Sequence, residues 1–95
     1  METRLIWDEV KRASNLKKHG LDFADAWWVL DSRYRLDVDD RRNGELRVLS
    51  FSYVADVLAV LTVVHTARDG AARIISFRPA SGEERKVYHE WLESE

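Results

Sequence analysis

The sequence predicts an α+β domain in which two N-terminal helices and a C-terminal helix pack on a mainly antiparallel sheet of four to five strands. Three observations carry this. Two segments with helix start and stop signals occupy residues 8–30, four extended runs fill residues 33–78 around two Xaa-Gly turns, and a capping box opens a last helix at Ser81.

The elements follow in order. A short strand, "TRLIW", comes first; Asp8 then caps a helix reaching about His19, where Gly20 stands ready for the left-handed conformation that ends helices. Asp22 starts a second helix, and Phe23, Ala26, Trp27 and Leu30 recur at the spacing of one buried face, with Trp28 about 100° off that stripe. "RYRLDV" alternates strictly and pairs with "ELRVLSFSY" across the Asn43-Gly44 turn. If Arg42 faces Glu45, then Val38 faces Leu49, Leu36 faces Phe51 and Tyr34 faces Tyr53, which puts every large apolar residue on one face. The apolar run 57–64 reads as a central strand that turns at Asp69-Gly70 into "ARIISFR", pairing Arg68 with Ala71, Thr66 with Arg73 and Val64 with Ile75. Ser81 and Glu84 make the S-x-x-E capping box of the last helix, whose apolar side is Val87, Tyr88, Trp91 and Leu92.

Composition limits what this fold can do. Ninety-five residues suit one domain, residues 1–95, and 45% hydrophobic content supplies its core without any cysteine. No segment has the form of a signal peptide or is long enough to span a bilayer, so a soluble, cytoplasmic protein is expected, with no membrane partner. The net charge of −2 gives no global field for a polyanion, yet eleven of the fifteen cations are arginines, the side chain whose planar fork suits phosphate. His19, His65 and His89 lie on separate elements without ligand spacing, so no metal site and no cofactor are expected.

The chemistry-bearing groups that remain are cations, one histidine and some carboxylates. Lys11, Asn15, Lys18 and His19 share one polar stripe of the first helix. Lysines and a histidine in a last turn are ordinary helix termination, favoured by the helix dipole. The same positive neighbours also favour a neutral imidazole, the form a general base needs near pH 7. Arg68 and Arg73 flank a tight turn and read either as a solvated strand end or as half of an anion site. Arg78 lies five residues beyond Arg73, so on a regular strand it points to the other face; it joins a common site only if the strand ends or bulges. Glu84 reads first as a capping residue, and Trp28 as a core or interface aromatic.

"WDEVKRASNLKKHGLDFADA" and "VVHTARDGAARIISFRPASGEERKVY" together resemble the BrnT family of type II toxins, whose pattern runs W-D-x-x-K-x-x-x-N-x-x-K-H-G-x-x-F, then T-x-R, R-I-I-S-A-R and a terminal E-R-x-x-Y. Phe77 stands where the family typically has Ala, and the turn between Arg68 and Arg73 is short. The resemblance implies a RelE-like fold and a ribonuclease that inhibits translation. It also implies a BrnA-type antitoxin with a ribbon-helix-helix part, and operator DNA bound only through the toxin–antitoxin complex. RNA cleavage without a metal needs a proton acceptor for the 2′-hydroxyl, cations for the phosphate and a proton donor for the leaving oxygen. His19 is expected to exchange protons, Lys18 and Arg68 to hold the phosphate, and Arg73 and Arg78 to stabilise the developing charge, with base and acid left unassigned. Lys11, Asn15, Trp7, Asp8, Glu84 and Tyr88 are expected to support the site or the substrate. The alternative is a non-catalytic binding module in a repressor complex, which the acidic pI of about 5.9 favours.

Overall fold

The computed structural model describes residues 4–94. The chain forms β1 (Arg4–Ile6), α1 (Glu9–His19), a 3₁₀ turn (Phe23–Asp25), α2 (Trp27–Leu30), β2 (Leu36–Arg42), β3 (Glu45–Val54), β4 (Ala59–Arg68), β5 (Ala71–Pro79) and α3 (Gly82–Glu93). One five-stranded sheet has the order β1-β5-β4-β3-β2, with β1 parallel to β5 and every other pair antiparallel. The expected strand at "TRLIW" is present from Arg4; its Thr3 lies outside the described residues.

Both Xaa-Gly turns behave as their residues dictate. Asn43 and Gly44 have φ of 53° and 78°, and Asp69 and Gly70 of 52° and 76°, the paired positive angles that match the twist of antiparallel strands. The β2–β3 register follows the expected pairs Arg42↔Glu45, Val38↔Leu49 and Leu36↔Phe51. Tyr34 does not join it: β2 begins at Leu36, and Tyr34 lies in a turn where its carbonyl accepts the Tyr88 hydroxyl at 2.8 Å.

Three expectations change. The second helix is a 3₁₀ turn followed by one α-turn, so its buried residues are Phe23, Ala26, Val29 and Leu30, while Trp27 is 39% exposed. Three residues per turn stack Phe23, Ala26 and Val29 along one line, which rotates Trp27 outward. The strand expected at Val57 begins at Ala59, because Leu58 takes a φ of 54° in the β3–β4 turn. The β4–β5 register holds through Thr66↔Arg73 and His65↔Ile74 and then slips by one, so Val64 pairs with Ser76 and not with Ile75, which is the extra residue of a bulge.

The core has two parts. On one face of the sheet, Phe23, Ala26, Val29 and Leu30 meet Leu61, Val63, Ile74 and Phe77. On the other, Tyr88 of α3, with Trp91 and Leu92 against it, covers Phe51, Val60 and Ala80; Val87, expected on this apolar side, is 39% exposed. Helix α1 joins by polar bonds, since its apolar residues Val10 and Leu16 are exposed. Asn15 donates to the carbonyls of Phe77 at 2.7 Å and Leu21 at 3.0 Å and accepts from the Phe77 N–H at 3.2 Å. Strand β1 reaches only as far as Arg73 on β5, so the Asn15 carboxamide satisfies edge groups that no strand covers. Arg12 adds a bidentate pair with Asp22, at 2.8 and 3.0 Å, and stacks over Trp7 at 5.4 Å.

A buried polar chain links the middle strands. Ser50, fully buried, donates to Asp37 at 2.6 Å and meets His65 Nε2 at 2.8 Å. Burial, then the Arg35 charge, push the His65 pKa below its ordinary 6.5, against the opposing pull of Asp37.

Two outcomes follow from these polar contacts. Asn15→Leu strands the Phe77 amide and carbonyl in a buried site, so stability falls by about 2–4 kcal/mol, read as a lower urea midpoint at constant m; a shift below about 0.5 kcal/mol shows that water replaces the carboxamide. Because His65 binds protons less readily folded than unfolded, stability is full above pH 6.5 and declines as pH falls from there toward its folded value. Melting temperatures from pH 7.5 to 5 test this, with His65→Gln expected to show the shallower slope; equal slopes would remove His65 from the account.

Candidate active site

The Asn15 clasp sets where the rest of α1 lies. With Asn15 fixed on the β5 edge, Lys11 is one turn toward the helix start, and Lys18 and His19 are one turn toward its end, on the same stripe. Asp8 accepts from the N–H groups of Val10 at 2.8 Å and Lys11 at 3.4 Å, and Gly20 closes the other end at φ 71°. Trp7 donates to Glu9 at 2.8 Å and packs edge-on against Phe23. Trp7 and Asp8 therefore fix the start of the helix.

Strand β5 supplies the arginines. Arg73 pairs with Thr66 and Arg78 with Thr62, and those threonines, four apart on β4, share a face. The bulge at Ile75 thus turns Arg73 and Arg78 to the same side of the sheet, the side that also carries Arg68 and α3. A regular strand would have separated them.

Along this side the cations form two groups. At the β4–β5 hairpin end, Lys11, Arg68 and Arg73 line a cavity of about 350 Å³ together with Arg47, Thr66 and Ile75. At the other end His19 lies in the field of Lys18 and Arg78; burial first, then those two charges, lower its pKa from 6.5. From the helix rise Lys11 and His19 are about 12 Å apart, and from the strand rise Arg73 and Arg78 about 16 Å. The single cluster expected around one phosphate is instead two separate cation groups.

The supporting residues divide by burial. Glu84 accepts from both terminal nitrogens of Arg78, at 2.7 and 2.9 Å, from Thr62 at 3.0 Å and from the Ser81 N–H at 2.9 Å, completing the capping box. Burial alone would raise its pKa; these bonds overcome that and hold it at about 2. A carboxyl group so acidic is no proton donor near neutrality. Tyr88 is wholly buried, its hydroxyl accepting from the Tyr53 N–H at 3.2 Å and donating to Tyr34, so it braces the strands and does not face a ligand. Asn15 likewise spends its carboxamide on backbone and does not hold His19.

Arg47 was not among the residues singled out for the site. Its Nε is buried without a hydrogen-bond partner, 3.6 Å from Glu45, in the wall of the same cavity. The signal was available in the strand alternation: Arg47 is two residues before Leu49, which pairs with Val64, so it faces the side that carries Arg68. Among the described residues no three His, Cys, Asp or Glu side chains gather into a group able to hold a metal ion. Among the described residues no helix is long and apolar enough to cross a membrane.

A family model described as "Ribonuclease toxin, BrnT, of type II toxin-antitoxin system" matches residues 7–84. The chain belongs to the BrnT family. The match runs from Trp7 to Glu84 and so includes both cation groups, with Lys11, Lys18, His19, Arg47, Arg68, Arg73 and Arg78. As a ribonuclease toxin family of type II systems, it pairs toxin with antitoxin. Phe77 is fully buried and meets Trp28 edge-on at 6.4 Å. No curated protein matches the chain.

The field on His19 gives a direct check. Arg78→Gln removes one of the two named charges, so the His19 pKa rises toward 6.5 in an NMR titration. An unmoved titration would place Arg78 too far away to act with His19.

Proposed function

We propose that this BrnT-family chain is a metal-independent endoribonuclease with a RelE-like fold, acting in the cytoplasm as a single domain, 1–95. It cleaves RNA and so inhibits translation until a BrnA-type ribbon-helix-helix antitoxin sequesters it; operator DNA is reached only through that complex. The observation that carries the reading is the pair of cation groups, one around the His19 imidazole with Lys18 and Arg78 and one lining a cavity with Lys11, Arg47, Arg68 and Arg73.

The chemistry follows from that division. The 2′-oxygen, losing its proton to a base, attacks the adjacent phosphorus, and the 5′-oxygen leaves with a proton, giving a cyclic phosphate and a free 5′-hydroxyl. His19 exchanges protons at this step, its lowered pKa keeping a neutral imidazole available near pH 7. Lys18 and Arg78 offset the charge gathering on the phosphate. Arg68, Arg73, Lys11 and Arg47 hold a neighbouring phosphate of the same strand and fix its register. Glu84 keeps Arg78 extended beside His19, while Trp7, Asp8, Asn15 and Tyr88 hold the frame.

A second reading, a non-catalytic module in an antitoxin–operator complex, draws on the exposure of Trp27 and Trp28, at 39% and 37%, an apolar surface suited to a protein partner. Purified protein incubated with total RNA and EDTA separates the two. The nuclease reading expects cleavage that persists under chelation and falls by about 10²–10³ in His19→Ala and by a similar factor in Arg68→Ala, with antitoxin binding kept. Wild-type protein that binds antitoxin yet leaves RNA intact favours the module.

A further inference from the structure

On the opposite face of the sheet, under α2, lies a cavity of about 760 Å³ that the cleavage chemistry does not use. Its volume is that of a small-molecule site. Trp27, Leu30, Val48 and Ala72 form its apolar wall, and His65 and Asp31 stand at it as polar groups.

The hydrogen-bond chain fixes what His65 offers. Ser50 has one proton and gives it to Asp37 at 2.6 Å, so at 2.8 Å from His65 it accepts, and the imidazole carries its proton on Nε2. That leaves a lone pair on Nδ1, which has no hydrogen-bond partner among the described residues, on a side chain only 8% exposed at the cavity wall. Ser50 is fully buried with its proton committed, so this is not a nucleophilic serine. The Asp31 carboxylate is likewise unpartnered among the described residues. Arg35, the nearby cation, is engaged by Asp37 through Nε and one terminal nitrogen, at 2.7 and 3.0 Å, and by the Leu30 carbonyl at 2.8 Å. The cavity therefore offers an indole wall and two unused acceptors, and asks for a flat ring rich in N–H donors.

We infer that this cavity binds a guanine base, stacked on Trp27, with two adjacent N–H donors on Asp31 and a further donor on His65 Nδ1. Guanine alone among the RNA bases presents a ring N–H beside an amino group on one edge; adenine and cytosine offer one amino group and uracil one ring N–H. The inference rests on the ribonuclease reading for its occupant. Thr66 and Ala67 line both this cavity and the cation-lined one, so a base site and a phosphate site meet at the β4–β5 hairpin. An RNA base held here selects where the strand is cut.

Calorimetric titration of the full chain with guanosine, adenosine and uridine tests the site, because a nucleoside has no phosphate for the cation-lined cavity to bind. Saturable binding of guanosine is expected, at least tenfold tighter than adenosine or uridine. Asp31 is exposed, so Asp31→Asn leaves the fold intact and should weaken guanosine at least tenfold; Trp27→Ala should do the same. The second arm maps cut positions in mixed-sequence RNA: the wild type favours one position relative to guanosine, and Asp31→Asn spreads the cuts. Guanosine binding with no RNA cleavage supports the base site while removing the ribonuclease reading, and binding with unchanged cut positions supports the site with a free guanine nucleotide as occupant. No saturable binding, or equal binding of all three nucleosides, overturns the inference. So does an Asp31→Asn variant that loses its co-expressed antitoxin while guanosine never bound, which makes the cavity a protein-docking site.

Discussion

The carboxamide of Asn15 on the open edge of β5 is the contact on which the arrangement depends. Helix α1 has almost no apolar face of its own, so the hydrophobic effect does not orient it. Its position is set by directional bonds to the Phe77 amide and carbonyl, with Arg12–Asp22 as a second point. Directional bonds fix rotation and translation together, which apolar packing of so thin a stripe would not. Lys11, Lys18 and His19 inherit that placement because they share the stripe.

The second constraint is the bulge in β5. It answers two demands that a regular strand cannot meet at once: Ile74 and Phe77, three apart, must both be buried under α2, and Arg73 and Arg78, five apart, must both reach the opposite side. Each pair has an odd separation, so alternation would split it. One extra residue reconciles both, and the hydrophobic demand is the stronger, since Ile74 and Phe77 are at most 1% exposed. The side-chain direction of the arginines is thus a by-product of core packing.

Much of this was legible beforehand, for physical reasons that differ by element. The hairpin registers next to the turns were readable because Asn43-Gly44 and Asp69-Gly70 fix a turn type and the alternation fixes the face. The α3 capping box was readable because its two partners are three residues apart. What stayed hidden was set by distant contacts: the bulge at Ile75, the 3₁₀ start that swaps Trp27 for Val29 in the core, and the bonds of the Tyr88 hydroxyl to the Tyr53 N–H and the Tyr34 carbonyl. The separation of the cations into two groups belongs to the same class, since it depends on the length of α1 laid along β5. His65 read as an unremarkable strand residue because its partners, Ser50 and Asp37, lie on two other strands.

Glu84 shows how one side chain reconciles a helix cap with a cation site. A guanidinium half-buried beside an imidazole and a lysine would, if uncompensated, face both desolvation and repulsion. The bidentate pair with Glu84 offsets the first cost, and the Ser81 N–H and Thr62 hydroxyl add two further donors to Glu84 Oε1. Full compensation would cancel the field on His19, but the imidazole pKa is still lowered by Arg78. Arg78 thus stays cationic while paired with Glu84 and still acts on His19.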